Sequence, residues 1–374
     1  MQVFAVLPQG LESQGAQELS AFGAQMIRPL RRGVDFEADL ACFYRLHLLA
    51  RLPFRFLRQM ARFVCNSPDS LYLGIRKALD WETWLPPSMS FRVDVSGYCD
   101  GLNHSYFTAL QVKNALVDLQ RERWGERSCI DLETPDLCIH LHLNNSGAVL
   151  SFDTSSGSLH KRGYRAAMGA APIKENLAAG LIRTTAWDGS LPLIDPLCGS
   201  GTFLIEAASM ALDLAPRLGR KFLFENWPDF DSGLWQKEQL FAKHRENNNN
   251  HRPLLIGCEL DESIAKQAQE NVLAAGLQEF VSIKSIHFRE LQLPYEKGMI
   301  ICNPPYGKRI GFEEDLKILY EELGAFAKKR CSGWELWLLS GNSHLTRSLK
   351  LKSKKKFPIS NGGIDCRWLN YEIN

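Results

Sequence analysis

Hydrophobic and polar positions alternate along this chain on two periods, and the period switches every ten residues or so. Val3-Phe4-Ala5-Val6-Leu7 predicts a strand, and the helical spacing from Leu11 to Phe22 predicts a helix closed at Gly23. Gly33-Val34-Asp35-Phe36-Glu37 alternates as a strand, and Leu40 to Leu49 predicts a second helix. This β-α-β-α-β pattern predicts a small α+β unit over 1–65. A second α+β unit over 66–155 follows. It starts with a helix around Leu71–Ala78, then a strand at Phe91–Val95 and a long amphipathic helix from Tyr106 to Arg123. It closes with strands Leu137–Leu143 and Ala148–Phe152, joined at the hairpin signal Asn144-Asn145-Ser146-Gly147. The Gly- and Ser-rich stretch 154–165 marks the main boundary, with 156–165 as linker. From 166 to 374 strand-like and helix-like segments alternate, which predicts an α/β, doubly wound, mostly parallel sheet. An irregular insert is expected at 216–252, ending in Asn247-Asn248-Asn249-Asn250, and no repeat of 20–50 residues is present.

Composition narrows the class. At 374 residues, 45% hydrophobic and 23% charged, the chain has the make-up of two or three folded domains, not of a disordered, collagenous or coiled-coil protein. Lys+Arg at 44 against Asp+Glu at 42 gives a net charge of +2, so nucleic-acid binding has to rest on local patches. One such patch is Arg28, Arg31, Arg32, Arg45, Arg51, Arg55, Arg58 and Arg62; another is the acid-free run Arg347, Lys350, Lys352, Lys354, Lys355 and Lys356. Either reads as a solvated face or as a phosphate track, and arginine stems also cover apolar surface. No run of about 18 apolar residues and no basic n-region is present, so neither a membrane span nor a signal peptide is expected. The ten cysteines contain no C-x-x-C pair and sit in apolar stretches, as small buried thiols in a reducing cytoplasm. His140 and His142 share one strand face, as a polar surface or as a metal pair. Trp81 and Trp84 suit core packing or RNA stacking.

Three segments carry chemistry. In the first, a strand ends at Asp195 and runs through Pro196-Leu197-Cys198-Gly199-Ser200-Gly201-Thr202 into an apolar helix. Such a glycine turn places a ligand at the C-terminal edge of a sheet. Leu204 stands where a dinucleotide fingerprint has its third glycine, and no Gly-Lys-Ser/Thr follows, so nicotinamide and P-loop readings are disfavoured. An acid at the strand end suits an amine-bearing ligand. The second strand, Leu254 to Cys258, ends at Glu259, a residue type that takes two vicinal ribose hydroxyls, with Asp261 as the next helix's N-cap. In the third, Met299 to Cys302 leads into Asn303-Pro304-Pro305-Tyr306. Two prolines stiffen this corner, so the Asn303 side-chain oxygen and the Pro304 carbonyl can converge on a planar amino group while Tyr306 offers a stacking face.

These segments resemble class I S-adenosylmethionine-dependent methyltransferases acting on exocyclic amino groups of nucleobases. Arg162-Gly163-Tyr164-Arg165, Ala171-Pro172-Ile173-Lys174-Glu175 and Asn361-Gly362-Gly363-Ile364-Asp365-Cys366 are similar to the branch that carries a THUMP domain. The likeness is strongest to the N-terminal half of the bacterial 23S ribosomal RNA guanine-N2 methyltransferase and covers nearly the whole chain. It implies a ferredoxin-like domain (1–65), a THUMP RNA-binding domain (66–155), a linker and a Rossmann-like class I methyltransferase domain with a mostly parallel seven-stranded sheet (166–374). In some bacteria a guanine-N7 methyltransferase half follows; this chain stops before it, so one activity is expected.

The resemblance also implies roles. Pro172, Lys174 and Glu175 would line the cofactor site, and Asp195, Pro196, Cys198, Gly199, Gly201 and Thr202 would hold the methionine end. Glu259 and Leu260 would meet the ribose, with Asn303 bordering the cofactor. Asn303, Pro304, Pro305 and Tyr306 would grip the target base. Arg162, Tyr164, Arg165, Lys308, Arg309, Lys352, Lys354, Lys355 and Lys356 would contact RNA. Where the family has an Asp for the cofactor's adenine, this chain has His287, which is either a single acceptor or a loop histidine. The implied reaction is methyl transfer to guanine N2 in 23S rRNA by a cytoplasmic monomer, without metal or membrane. N6-adenine or tRNA guanine methylation, or a catalytically silent RNA-binding assembly factor, are the alternatives.

Overall fold

A computed structural model describes residues 1–99, 101–145, 147–165, 172–247, 252–293, 295–306 and 313–374. Ala171, Lys308 and Arg309 lie outside the described residues. The front of the chain runs β1 (Gln2–Val6), α1 (Glu12–Ala21), β2 (Gln25–Leu30), β3 (Gly33–Glu37), α2 (Leu40–Leu49), β4 (Arg55–Phe63), α3 (Pro68–Ala78), α4 (Trp81–Trp84), β5 (Phe91–Gly97), α5 (Ser105–Trp124), β6 (Leu137–Asn144) and β7 (Gly147–Asp153). The back runs α6 (Glu175–Thr185), β8 (Leu193–Asp195), α7 (Thr202–Ala211), α8 (Ser232–Asn247), β9 (Leu255–Glu259), α9 (Glu262–Ala274), β10 (Val281–Ser285), β11 (Met299–Cys302), α10 (Glu313–Arg330), β12 (Glu335–Ser340), α11 (Ser343–Ser348), β13 (Lys355–Asn361) and β14 (Ile364–Glu372).

Local chemistry sets the ends of these elements. Asp39 caps α2 by accepting from Cys42 N at 2.7 Å. Ser67 and Ser70 close a reciprocal capping box around Pro68 at the start of α3. Asp261 caps α9 as expected, accepting from Ser263 N and Ile264 N.

Among the described residues two seven-stranded sheets form. The front sheet, in order β2-β3-β1-β4-β7-β6-β5, joins the two α+β units through β4, which pairs antiparallel with β1 on one edge and β7 on the other. The back sheet, in order β10-β9-β8-β11-β12-β14-β13, is parallel from β10 to β12 and antiparallel at β14 and β13. This is the class I methyltransferase arrangement the resemblance implied.

The insert is not irregular throughout. Within it α8 carries Trp235, Glu238 and Ala242 at helical spacing, all buried. Its surroundings dock on α2: Tyr44 stacks on Phe224 at 5.2 Å and meets Trp235 edge-on at 5.3 Å, and Arg45 donates to both Glu238 oxygens at 2.8 and 2.9 Å. Several N-terminal arginines likewise pair with acids of the same chain, some of them from the surface. Arg28 pairs with Asp35, Arg55 with Asp153 and Arg58 with Asp229. Trp81 is buried and donates to Ile75 O at 2.7 Å, while Trp84 packs on Phe152 and Trp227, so both tryptophans serve the core. Nine cysteines are buried and Cys129 is exposed. His140 is half-buried, and desolvation pushes its pKa down to about 4, while His142 Nδ1 lies 3.0 Å from Ser96 Oγ. Among the described residues no group of His, Cys, Asp and Glu is arranged to hold a metal, and no helix is long and apolar enough to cross a membrane.

The front and back units meet at buried charge. Glu206 of α7, 2% exposed, lies 3.3 Å from Arg162 and 3.9 Å from Arg51. Arg217 donates to His47 O at 2.7 Å and to Ala50 O at the C-terminal end of α2. Removing one member of such a cluster strands the others without compensation. Glu206→Ala is therefore expected to lower unfolding free energy by about 3–5 kcal/mol in urea titration; a loss below ~1 kcal/mol would refute this account of the interface.

Candidate active site

The back sheet brings three chain corners to one edge. β8 pairs parallel with β9 (Asp195 opposite Gly257) and with β11 (Ile194 opposite Ile300). The ends of these strands, Asp195, Glu259 and Cys302-Asn303, therefore emerge side by side. Strand order also reverses here, with β9 on one flank of β8 and β11 on the other, so a crevice opens between the loops.

The glycine turn is built for close approach. Gly199 and Gly201 adopt φ of +50° and +78°, and a side chain at Gly199 would meet nothing within 4 Å, so the space above the turn is open. Cys198 N donates to Cys258 O at 3.0 Å and Asn271 Nδ2 to Ser200 O at 3.1 Å, which ties the turn to β9 and α9. Glu259 accepts from Gly199 N at 3.2 Å and Asp261 N at 3.0 Å; the remaining lone pairs of its two oxygens stay available beside exposed Leu260. Asp195 is 2% exposed and accepts from Leu197 N at 3.1 Å. Burial, only partly offset by that bond and reinforced by the nearby Glu259 charge, pushes its pKa up to about 8.

The segment before α6 closes the turn from the other side. Arg165 pairs with buried Glu175 at 2.7 Å and donates to Ile173 O at 2.7 Å and Thr202 Oγ1 at 2.9 Å. Pro172 is half-buried, and the Lys174 ammonium lies 5.1 Å over the Phe54 ring.

The diproline corner faces this turn from β11. Asn303 Oδ1 is buried and, among the described residues, has no hydrogen-bond partner. Pro304 is buried, with Pro305 and Tyr306 half-buried. Tyr306 is held at both ends. Its hydroxyl accepts from Asn361 Nδ2 at 2.8 Å and from Cys366 Sγ at 3.5 Å, and a side chain at Gly341 would come within 3.1 Å of its ring. The hairpin β13–β14 thus sets the ring plane. Sequence reasoning singled out Asn361 and Cys366 as part of a motif but not as partners of Tyr306; 55 residues separate Asn361 from the ring it holds.

Other expected residues stand elsewhere. Arg162, expected at RNA, has a side chain only 4% exposed and donates to Leu159 O and Arg51 O beside Glu206. Tyr164 is buried, and Arg165 is committed to Glu175 and Thr202, so the three side chains are engaged with groups of the same chain. A buried cation holds its charge only against partners such as Glu206, which is why these residues face inward. His287 caps a short 3-10 turn by accepting from Arg289 N at 3.2 Å, and its Nε2 faces Glu322 at 3.4 Å. Both ring nitrogens thus lie beside groups of the same chain. Lys354 pairs with Glu372, whereas Lys352, Lys355 and Lys356 are exposed.

Comparison with known proteins follows this architecture. An RlmL ferredoxin-like domain matches residues 2–57, a THUMP domain 66–153 and an RMKL-like methyltransferase domain 162–370. A putative RNA methyltransferase of Synechocystis is 42% identical over 99% of this chain and 96% of its own length. The ribosomal RNA large subunit methyltransferase K/L of Cellvibrio japonicus is 39% identical over 100% of this chain and 51% of its own, so the chain spans about half of that relative. Among solved structures, SMU.472, a putative methyltransferase complexed with SAH, superposes with a TM-score of 0.89 at 27% identity, covering 100% of this chain and 98% of that one. A possible methylase from Clostridium difficile does so at 0.90 and 28%, with the same coverage. The sheet order, the three converging corners and the matched models agree: this chain is a member of the RMKL-like methyltransferase family, carrying a ferredoxin-like and an RNA-binding THUMP domain in front of its methyltransferase domain.

Proposed function

We propose that this chain transfers a methyl group from S-adenosylmethionine to the exocyclic N2 of a guanine in 23S ribosomal RNA. The observation that carries the reading is Asn303 Oδ1, a buried acceptor without a donor among the described residues, at the edge where the glycine turn opens. Leaving such an acceptor unpaired costs about 1–3 kcal/mol, and a planar amino group restores the missing bond. The large-subunit specificity follows the K/L relatives, and the cofactor follows SMU.472 and the class I sheet.

The residues fit that cofactor. Open space above Gly199 admits the methionine end, buried Asp195 offers a carboxyl to its cationic groups, and Glu259 has free lone pairs for ribose hydroxyls. When bound, S-adenosylmethionine supplies an electrophilic methyl on a sulfonium. Asn303 Oδ1 and the Pro304 carbonyl accept the two N–H bonds of the target amino group, which turns its lone pair toward the glycine turn. Tyr306 stacks on the base, at about 1–3 kcal/mol, against the few kcal/mol needed to flip it from a helix. These residues would raise the rate by positioning, fixing the target nitrogen beside the glycine turn where the methyl donor would sit. After attack the nitrogen would shed its proton to solvent, with the neutral thioether left by S–C cleavage as the leaving group. All these groups come from one sheet edge, so a monomer suffices, and the substrate places the reaction in the bacterial cytoplasm.

The test is nucleoside analysis of undermethylated ribosomal RNA incubated with the protein and labelled S-adenosylmethionine. N2-methylguanosine is expected. N6-methyladenosine as the labelled product, or no label, overturns the reading.

Asn361 is a positioning residue through the Tyr306 hydroxyl. Asn361→Ala and Tyr306→Phe are each expected to lower kcat/KM about 5–10-fold with SAH affinity unchanged, and the double variant to lose no more than either single. Additive losses in steady-state kinetics would show that the two side chains act separately.

A further inference from the structure

We propose that the cleft between the N-terminal unit and the β13–β14 hairpin seats the single-stranded phosphodiester backbone flanking the target base. The inference rests on the RNA-methyltransferase reading above and assigns its strand a path. A cavity of about 840 Å³ opens between the two units. Gln9 and Arg31 line it from loops of the N-terminal unit, Arg347 and Lys352 from α11 and the loop after it, and Lys356 and Arg367 from the hairpin. The five cations are exposed, and among the described residues none of them forms an ion pair. They contrast with Lys354 in the same run, which pairs with Glu372, and with Arg28, Arg45, Arg55 and Arg58, which all have acidic partners. Two acids line the cleft against the five cations, and one of them, Glu12, is tied to Gly10 N and Arg32 N at 2.9 Å each. Unpaired like charges gathered from separate chain segments repel one another until a polyanion fills the space.

The cleft is continuous with the diproline corner. Gly341 and Cys366 line it, and both touch Tyr306, so a strand whose base stacks on that ring has its neighbouring phosphates here. The walls are already joined. Ser360 N donates to Gln9 O at 3.3 Å, and Gly10, at φ +95°, lies so close to β13 that a side chain there would stand 2.3 Å from Pro358 O. A space of this size holds a few nucleotides of single strand and excludes a duplex, which is the form base flipping leaves beside the target. The ferredoxin-like unit is thereby part of the substrate channel.

The test titrates the full chain with a fluorescein-labelled 20-nucleotide single-stranded RNA across a salt series. Arg31→Ala/Arg367→Ala and Arg347→Ala/Lys352→Ala are each expected to raise Kd about 10–30-fold at ~0.1 M salt. Each should also flatten the slope of log K against log salt by about 1.4, roughly 0.7 per charge. SAH affinity by calorimetry should stay within two-fold, Arg31→Lys/Arg367→Lys should restore binding, and Lys354→Ala should shift Kd less than two-fold. Unchanged affinity and slope in the double variants, or an equal loss from Lys354→Ala, overturns the proposal. If the parent chain methylates no guanine while the double variants still lose RNA, the cleft stands and the methyltransferase reading falls. If methylation is intact and the variants bind normally, the reverse holds.

Discussion

Asn303→Ala is expected to lower kcat for RNA methylation about 10³-fold while SAH affinity changes less than ~3-fold. The buried Oδ1 has no partner among the described residues, so its hydrogen-bonding capacity is held in reserve for a group brought by the substrate. An acceptor fixed in a dry site at a reacting centre contributes on the order of 10²–10³ in rate. Loss of the second contact geometry at Pro304 takes the effect to the top of that range. The split between kcat and Kd separates the two roles the sequence suggested for Asn303. A loss confined to SAH binding would place the residue at the cofactor alone, and unchanged kcat would remove it from the chemistry.

Asp195→Asn is expected to weaken SAH binding about 10–100-fold at pH 8.5 and, in the same protein without ligand, to raise stability. The sign follows from the raised pKa. Between an ordinary carboxyl value near 4 and the folded value of about 8, the folded chain holds a proton that the unfolded chain has shed. Ligand-free stability therefore falls as pH rises through that window and levels off above it. The amide never ionises, so the variant lacks this fall and exceeds the parent by on the order of 2–4 kcal/mol at pH 9, converging with it at pH 4. Cofactor affinity of the parent should rise from pH 6 to 8.5 as the carboxylate forms opposite the ligand's cationic group, and that of the variant should stay flat. Urea melts and calorimetry at four pH values check both curves. Parallel pH profiles in parent and variant would show that Asp195 does not titrate in this range.

The site was legible because each of its corners is local. β8 and β9 are short apolar runs that end on an acid, β11 is one that runs into Asn303, and a glycine turn or a diproline leaves the backbone few alternatives. The rest depends on partners far away in sequence. β4 was expected only as the unplaced last strand of the β-α-β-α-β pattern, because Arg55, Arg58 and Arg62 read as surface charge, although Asp153 and Asp229 take up two of them and the strand joins two units. β2 was hidden because it is an exposed edge strand holding Pro29, with no buried face to impose alternation. The helical spacing of Trp235, Glu238 and Ala242 was present, but a polar helix with a charged residue on its buried face resembles a loop until Arg45 is seen opposite Glu238. Arg162 and Tyr164 were expected at RNA from the family resemblance; that Glu206 in the middle of an apolar helix pairs with Arg162 shows only in the folded chain. The cleft was out of reach for the same reason, since Arg31 and Lys352 meet only in the folded chain.

The most direct test of the central claim is a crystal structure of the chain with SAH and an RNA carrying the target nucleotide. The account predicts a flipped guanine stacked on Tyr306, its N2 within hydrogen-bonding distance of both Asn303 Oδ1 and the Pro304 carbonyl and facing the SAH sulfur above Gly199. A purine bound with its amino group turned away from Asn303, or SAH seated away from the Gly199 turn, would contradict it.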